Sequence, residues 1–166
     1  MKTYRLSTLI VIFVLLCTNA IHAQTTQTQL NQLELIKQFI GNWKAEMGKD
    51  TTVFYEAKLF GTGIEDYMEF ITKGKSYLKI KGLLGYDKKN DKYIHLKLLD
   101  PSGLALNAFW VTSKNIIEGV QYQYISNPED APLKWKLEFK SSDSLIMNTT
   151  LNSKVVSTLT FNREKK

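Results

Sequence analysis

The chain has 166 residues, with 22 lysines and arginines against 16 acidic residues, two histidines and one cysteine. The lysines are spread along its length and not gathered into one arm, so nothing marks a nucleic-acid footprint. A single cysteine excludes an intrachain disulfide framework and a sulfur-rich metal centre.

Residues 1–23 separate from the rest. Lys2 and Arg5 make a positive start, Leu9 to Cys17 an apolar core, and Ile21-His22-Ala23 a small-residue exit before Gln24. That is the pattern of a cleaved signal peptide, and its apolar core is shorter than the roughly 20 residues of a membrane span. A lipoprotein signal is the alternative, because Cys17 follows Leu15-Leu16, but Leu16 is larger than the small residue such signals place there. Cleavage would take Lys2 and Arg5 from the 22 basic residues, leaving 20 against 16, and would remove the cysteine. The expectation is an exported protein, periplasmic or secreted, whose fold rests on its core. A chain of this length buries roughly two-thirds of its unfolded surface, so one domain over 32–166 is expected, preceded by a Thr- and Gln-rich flexible tail over 24–31.

Leu30, Leu33, Ile36, Phe39 and Ile40 recur at steps of three and four, which predicts one short amphipathic helix that Gly41 ends. From Asn42 the period becomes two. Turn signals follow about every ten residues, among them Gly48-Lys49-Asp50, Gly61-Thr62-Gly63, Lys73-Gly74, Lys88 to Asp91, Asp100-Pro101-Ser102-Gly103, Ser113-Lys114-Asn115, Asn127 to Pro132, Ser141-Ser142-Asp143 and Asn152-Ser153. Nine turns separate ten strands, and short turns make neighbours antiparallel. The predicted fold is therefore all-β, an up-and-down antiparallel β-barrel of about ten strands with one short N-terminal helix. Closure removes the exposed edges that an open ten-stranded sheet would carry. A two-sheet sandwich is the alternative.

Alternation assigns faces. Leu133, Trp135, Leu137 and Phe139 point to the core and Lys134, Lys136, Glu138 and Lys140 to water. The same reading places Leu78 and Ile80 inside, then Ile94, Leu96 and Leu98, then Leu145, Met147 and Leu151. His95, sharing a face with Tyr93 and Lys97, is placed outside. The inward parity of the third strand reads Ile64, Asp66, Met68, Phe70, and that of the seventh Ile116, Glu118, Val120, Tyr122, Tyr124. Gly82 and Gly85, inside a long fourth strand, predict a bend at a barrel corner.

These residues carry a resemblance. Phe39, Gly41 and Trp43 form an F-x-G-x-W segment, and Leu84-Gly85-Tyr86-Asp87 precedes a lysine-rich turn from Lys88 to Tyr93. With Asp100 to Gly103 and Thr158 to Arg163, they make the chain similar to the calycin superfamily, which includes lipocalins, fatty-acid-binding proteins and nitrobindin. Within it the chain resembles a bacterial lipocalin-like family of unknown function. The resemblance implies a ten-stranded barrel, a helix near one end under which Trp43 packs, and a binding function. The chain departs from fatty-acid-binding proteins in lacking two helices between its first strands. It also lacks an arginine pair, Arg163 being the sole arginine after residue 5.

The candidate ligand-binding residues are Asp66, Glu118, Tyr55, Tyr122, Tyr124, Trp110 and Trp135. An inward carboxylate has a raised pKa and can orient a guest or exchange a proton with it, and Tyr and Trp give large apolar area with a polar tip. For the aromatics, plain core packing is the alternative. For the carboxylates, a bulge that turns them to water is the alternative. No metal or cofactor is expected, because one histidine without cysteine cannot make a usual zinc set. Ser102, His95 and Asp100 hold the parts of a triad without a nucleophile elbow. Asn148-Thr149-Thr150 fits a glycosylation sequon, of consequence only in a eukaryotic secretory pathway. The expected partner is a small hydrophobic or amphipathic molecule in the barrel, with a protein-interaction barrel and an acid-base enzyme of isomerase or hydratase type as alternatives.

Overall fold

A computed structural model describes residues 31–101 and 103–165. The expected signal peptide, most of the expected tail, and Ser102 lie outside the described residues. Asn31 caps the short helix α1 (Gln32–Leu35), its side chain accepting from the Glu34 amide at 3.2 Å. A 3-10 turn, Ile36–Phe39, continues it and sends Ile36 and Phe39 into the interior.

Ten strands follow: β1 (Gly41–Met47), β2 (Thr51–Phe60), β3 (Gly63–Thr72), β4 (Lys75–Asp87), β5 (Lys92–Asp100), β6 (Gly103–Ser113), β7 (Ile116–Gln121), β8 (Leu133–Ser141), β9 (Ser144–Leu151) and β10 (Lys154–Arg163). Each pairs antiparallel with its chain neighbour, and β1 pairs with β10 through Trp43↔Arg163 and Ala45↔Phe161. The barrel is closed, as the turn spacing predicts, and the sandwich alternative falls. A closed ten-stranded antiparallel barrel with one short helix is consistent with a lipocalin- or calycin-like fold.

The helix stops up one end. Gln32 is buried and uses its amide as a backbone mimic, donating to the Val111 carbonyl at 3.0 Å and accepting from the Val111 amide at 2.8 Å. Tyr93 donates to the Gln32 carbonyl. Trp43, fully buried, donates to the Phe39 carbonyl at 2.8 Å. Arg163 lies with its guanidinium 4.0 Å from the Trp43 ring centroid and donates to the carbonyls of Gln38, Ile40 and Ser142. Gly41 is required here. Its φ is +130°, and a Cβ would strike the Arg163 guanidinium. Trp43 thus sits beneath the helix, where the resemblance puts it.

Buried toward this end are Ile36, Phe39, Ile117, Phe139, Leu145 and Phe161. Toward the opposite end, the inward residues Met47, Phe70, Leu99, Leu133, Thr149 and Ser157 are only partly covered.

Alternation fails on two strands. On β5 the inward set is Tyr93, His95, Lys97 and Leu99, while Leu96 and Leu98 stand outside at 39% and 58% exposure. The sequence predicts the inverse parity because leucine reads as core, yet this wall of the interior carries His95 and Lys97, and Leu96 and Leu98 face out. On β7 the inward residues are Ile117, Gly119 and Gln121. Glu118 points outward, paired with Trp110 on β6 and Lys136 on β8. The strand carries apolar residues on both sides: Val120 is buried on the outer wall beside Pro128 and Glu129, and the inward glycine gives no hydrophobic signal. Leu151, also expected inside, is exposed at the end of β9.

Candidate functional site

The interior contains a cavity of about 440 Å³. Its walls differ. On one side β8, β9 and β10 contribute Leu137, Leu145, Met147, Leu159 and Phe161, and the helix adds Ile36 and Phe39. On the other, β2, β3, β5, β6 and β7 contribute Tyr55, Asp66, His95, Lys97, Asn107 and Gln121. Apolar walls with a few convergent polar groups are what a small-molecule site looks like.

Asp66 and His95 are at the centre of the polar wall, 6% and 7% exposed. Asp66 is on β3 and His95 on β5, so β4 runs between them. Gly82 on β4 is the register partner of both Asp66 and Lys97. A Cβ there would collide with the Asp66 carboxylate and with His95 Nε2. The missing side chain is therefore what lets the two groups meet across an intervening strand. The bend expected of Gly82 is not its main consequence.

His95 Nε2 lies 3.0 Å from Asp66 Oδ2 and 3.2 Å from Oδ1. The Tyr55 hydroxyl donates to Oδ2 at 3.3 Å. Burial pushes the His95 pKa below its ordinary value, the Asp66 hydrogen bond only partly opposing it. The neutral imidazole thus favoured donates from Nε2 to the carboxylate and leaves Nδ1 as an acceptor. Tyr55 is held well above the ordinary phenol range by burial and by the neighbouring Asp66 charge. It stays a hydroxyl donor at any physiological pH.

Lys97 projects from the same strand as His95. Its Nζ is 6.0 Å from the ring centroids of both Phe109 and Trp135. Burial lowers its pKa, and Asp66 offsets this only by charge at a distance, for Lys97 makes no ion pair among the described residues. Asn107, 4% exposed, follows across the sheet as the partner of His95 and of Gln121.

Of the residues singled out from sequence, the cavity brings together Tyr55, Asp66 and Trp135. Glu118 and Trp110 are on the outer wall with Lys134, Lys136 and Thr150, Trp110 beneath the Lys92 ammonium at 4.7 Å. Tyr122 and Tyr124 leave the barrel wall altogether, because β7 ends at Gln121 and they form a 3-10 turn, Tyr122–Tyr124, after it. Sequence reasoning missed His95, Lys97, Asn107 and Gln121. On β5 the leucines at 96 and 98 carried the stronger hydrophobic signal and pointed to the wrong face.

The arrangement can hold a polar group of a guest by hydrogen bonds and an ammonium while burying its apolar remainder. It also places a buried acid-base pair at the cavity wall. Among the described residues no three His, Cys, Asp or Glu side chains converge as a metal set, and no described helix is long and apolar enough to cross a membrane. No protein-family model matches the chain, and no curated protein matches it in sequence.

Proposed function

We propose that this protein is an exported carrier that holds one small amphipathic molecule inside its barrel, as the resemblance to bacterial lipocalin-like proteins suggests. The observation that carries the reading is the two-sided cavity of about 440 Å³, with its polar wall around Asp66, His95 and Lys97 and its apolar wall around Leu137, Met147 and Leu159. Burial of a guest's apolar surface contributes about 25 cal/mol per Å², and the polar wall sets its orientation. Export rests on the signal-peptide pattern of residues 1–23. Purification under native conditions from the source organism, followed by mass spectrometry of released small molecules, is the test. A stoichiometric amphipathic guest is the expected result, and a mature chain beginning at Gln24 is the expected mark of export. A chain that comes out empty and binds no amphipathic compound defeats the carrier reading.

A second reading, an interaction barrel, is favoured by one observation. Leu83, Leu96, Leu98, Leu104 and Leu106 stand exposed on the outer wall of β4, β5 and β6, with Leu96 opposite Leu106 and Leu98 opposite Leu104. An apolar strip of this kind marks contact surfaces. Under it, substitution of cavity residues would leave the protein's activity in the cell untouched.

A further inference from the structure

We propose that the guest is an amphipathic monoanion whose head group docks on the Lys97 ammonium, and that its entry is accompanied by protonation of His95. The inference rests on the carrier reading and deepens it.

The charges that face the cavity are few. From β3 comes the Asp66 carboxylate, from β5 the Lys97 ammonium and the His95 imidazole; β2 supplies the Tyr55 hydroxyl, β6 Asn107 and Phe109, β7 Gln121, β8 Trp135, and β4 only Gly82, Ile80 and Leu84. With a neutral imidazole the set carries one negative and one positive charge. They are not equivalent. Asp66 already accepts from His95 and Tyr55, whereas Lys97 has two aromatic faces at 6.0 Å and no anion within ion-pair distance among the described residues. A half-buried ammonium that faces a cavity without a partner is left poorly solvated, and an anion beside it offsets that cost. A guest anion, however, leaves the cavity one negative charge in excess beside Asp66. The imidazole that bridges to Asp66 is the group there whose ordinary pKa lies nearest neutrality, and it is placed to take up the proton. Uptake by His95 turns its contact with Asp66 into an ion pair and restores neutrality. The head group then lies on the polar wall, and the tail extends against Leu137, Leu145, Met147, Leu159 and Phe161.

The test is calorimetric titration of the purified protein with octanesulfonate, a permanent anion, and with octanol, a neutral molecule with the same chain, over a pH series and in two buffers of different ionisation enthalpy. Octanesulfonate should bind at least about tenfold more tightly than octanol. It should take up about one proton from buffer at neutral pH, and its affinity should rise as the pH is lowered through the imidazole range. Lys97→Met should abolish the preference for the anion and Lys97→Arg should keep it. His95→Gln should still bind octanesulfonate but lose both proton uptake and pH dependence. Equal binding of the two probes by the native protein overturns the anion inference and leaves the carrier standing; binding of neither defeats both. Undiminished proton uptake in His95→Gln, or equal loss of the preference in a folded Lys97→Arg, also overturns it.

Discussion

Gly82 is the residue on which the polar wall depends. Because the space of its absent side chain is where Asp66 and His95 meet, Gly82→Ala must push apart a buried hydrogen-bonded pair or distort β4. Overpacking of this sort costs about 1–3 kcal/mol, which urea denaturation would read as a lower midpoint with unchanged slope. His95 gives a second expectation. Its folded-state pKa lies below its ordinary value of 6.5, so the unfolded chain binds more protons in the window just below 6.5. Stability therefore falls as the pH is lowered through that window and is fully present above it. Thermal melts should show this decline in the native protein and a weaker one in His95→Gln. Asp66 was legible in the sequence because β3 alternates cleanly through Ile64, Asp66 and Met68. Its partner was not, since nothing in the chain marks a contact made across an intervening strand.

At the scale of elements, the helix and its clamps were the most readable part. Periodicity places Ile36 and Phe39 on one stripe, and both are buried. The sequence does not say how the helix is fastened. Gln32 holds it to β6 by two hydrogen bonds to one residue, Val111, and at about 1 kcal/mol for each such bond Gln32→Leu should loosen the helix without unfolding the barrel. Faster amide hydrogen exchange confined to the residues around 32–39 would register that. Arg163 binds three carbonyls and covers Trp43. Because an ammonium cannot reproduce a planar fork stacked on an indole, Arg163→Lys should lower the melting temperature nearly as much as Arg163→Met, with a changed Trp43 fluorescence in both. Strands were legible in number, and in their limits except on β7, which ends at Gln121 short of Tyr122 and Tyr124; faces were legible wherever the wall inside is apolar, as on β8. On β5 the rule that apolar residues face inward fails because His95 and Lys97 line the cavity there, and on β7 it fails because apolar residues stand on both sides of the strand. A cavity with a polar wall sends its leucines outward.

For the molecule as a whole, closure through β1 and β10 is the decisive long-range event. It joins Ile40 to Arg163 across 123 residues, and such non-local pairing makes folding slow. Until it forms, β1 and β10 each present an unpaired edge. A chain ending at Ser153 would expose the edges of β1 and β9 permanently, so it should associate through them; sedimentation or light scattering should show aggregates where the full chain gives a discrete species. The closed barrel was legible because nine turns, all but the β7–β8 connection short, leave few other topologies. The size of the cavity was not, since its volume depends on where small residues such as Gly82, Ala105 and Gly119 fall relative to the large ones across the lumen.

The stopper at one end has a further consequence. With Ile36, Phe39 and Trp43 packed beneath a helix that Gln32 and Arg163 hold in place, that end of the barrel is closed among the described residues, and a guest would reach the cavity past the opposite rim, where Met47, Phe70, Leu99 and Leu133 are only partly covered. Whatever enters leaves by the path it came in on. Changes to that rim would slow or hasten arrival and departure in equal proportion, altering residence time while the equilibrium affinity stays where the walls set it.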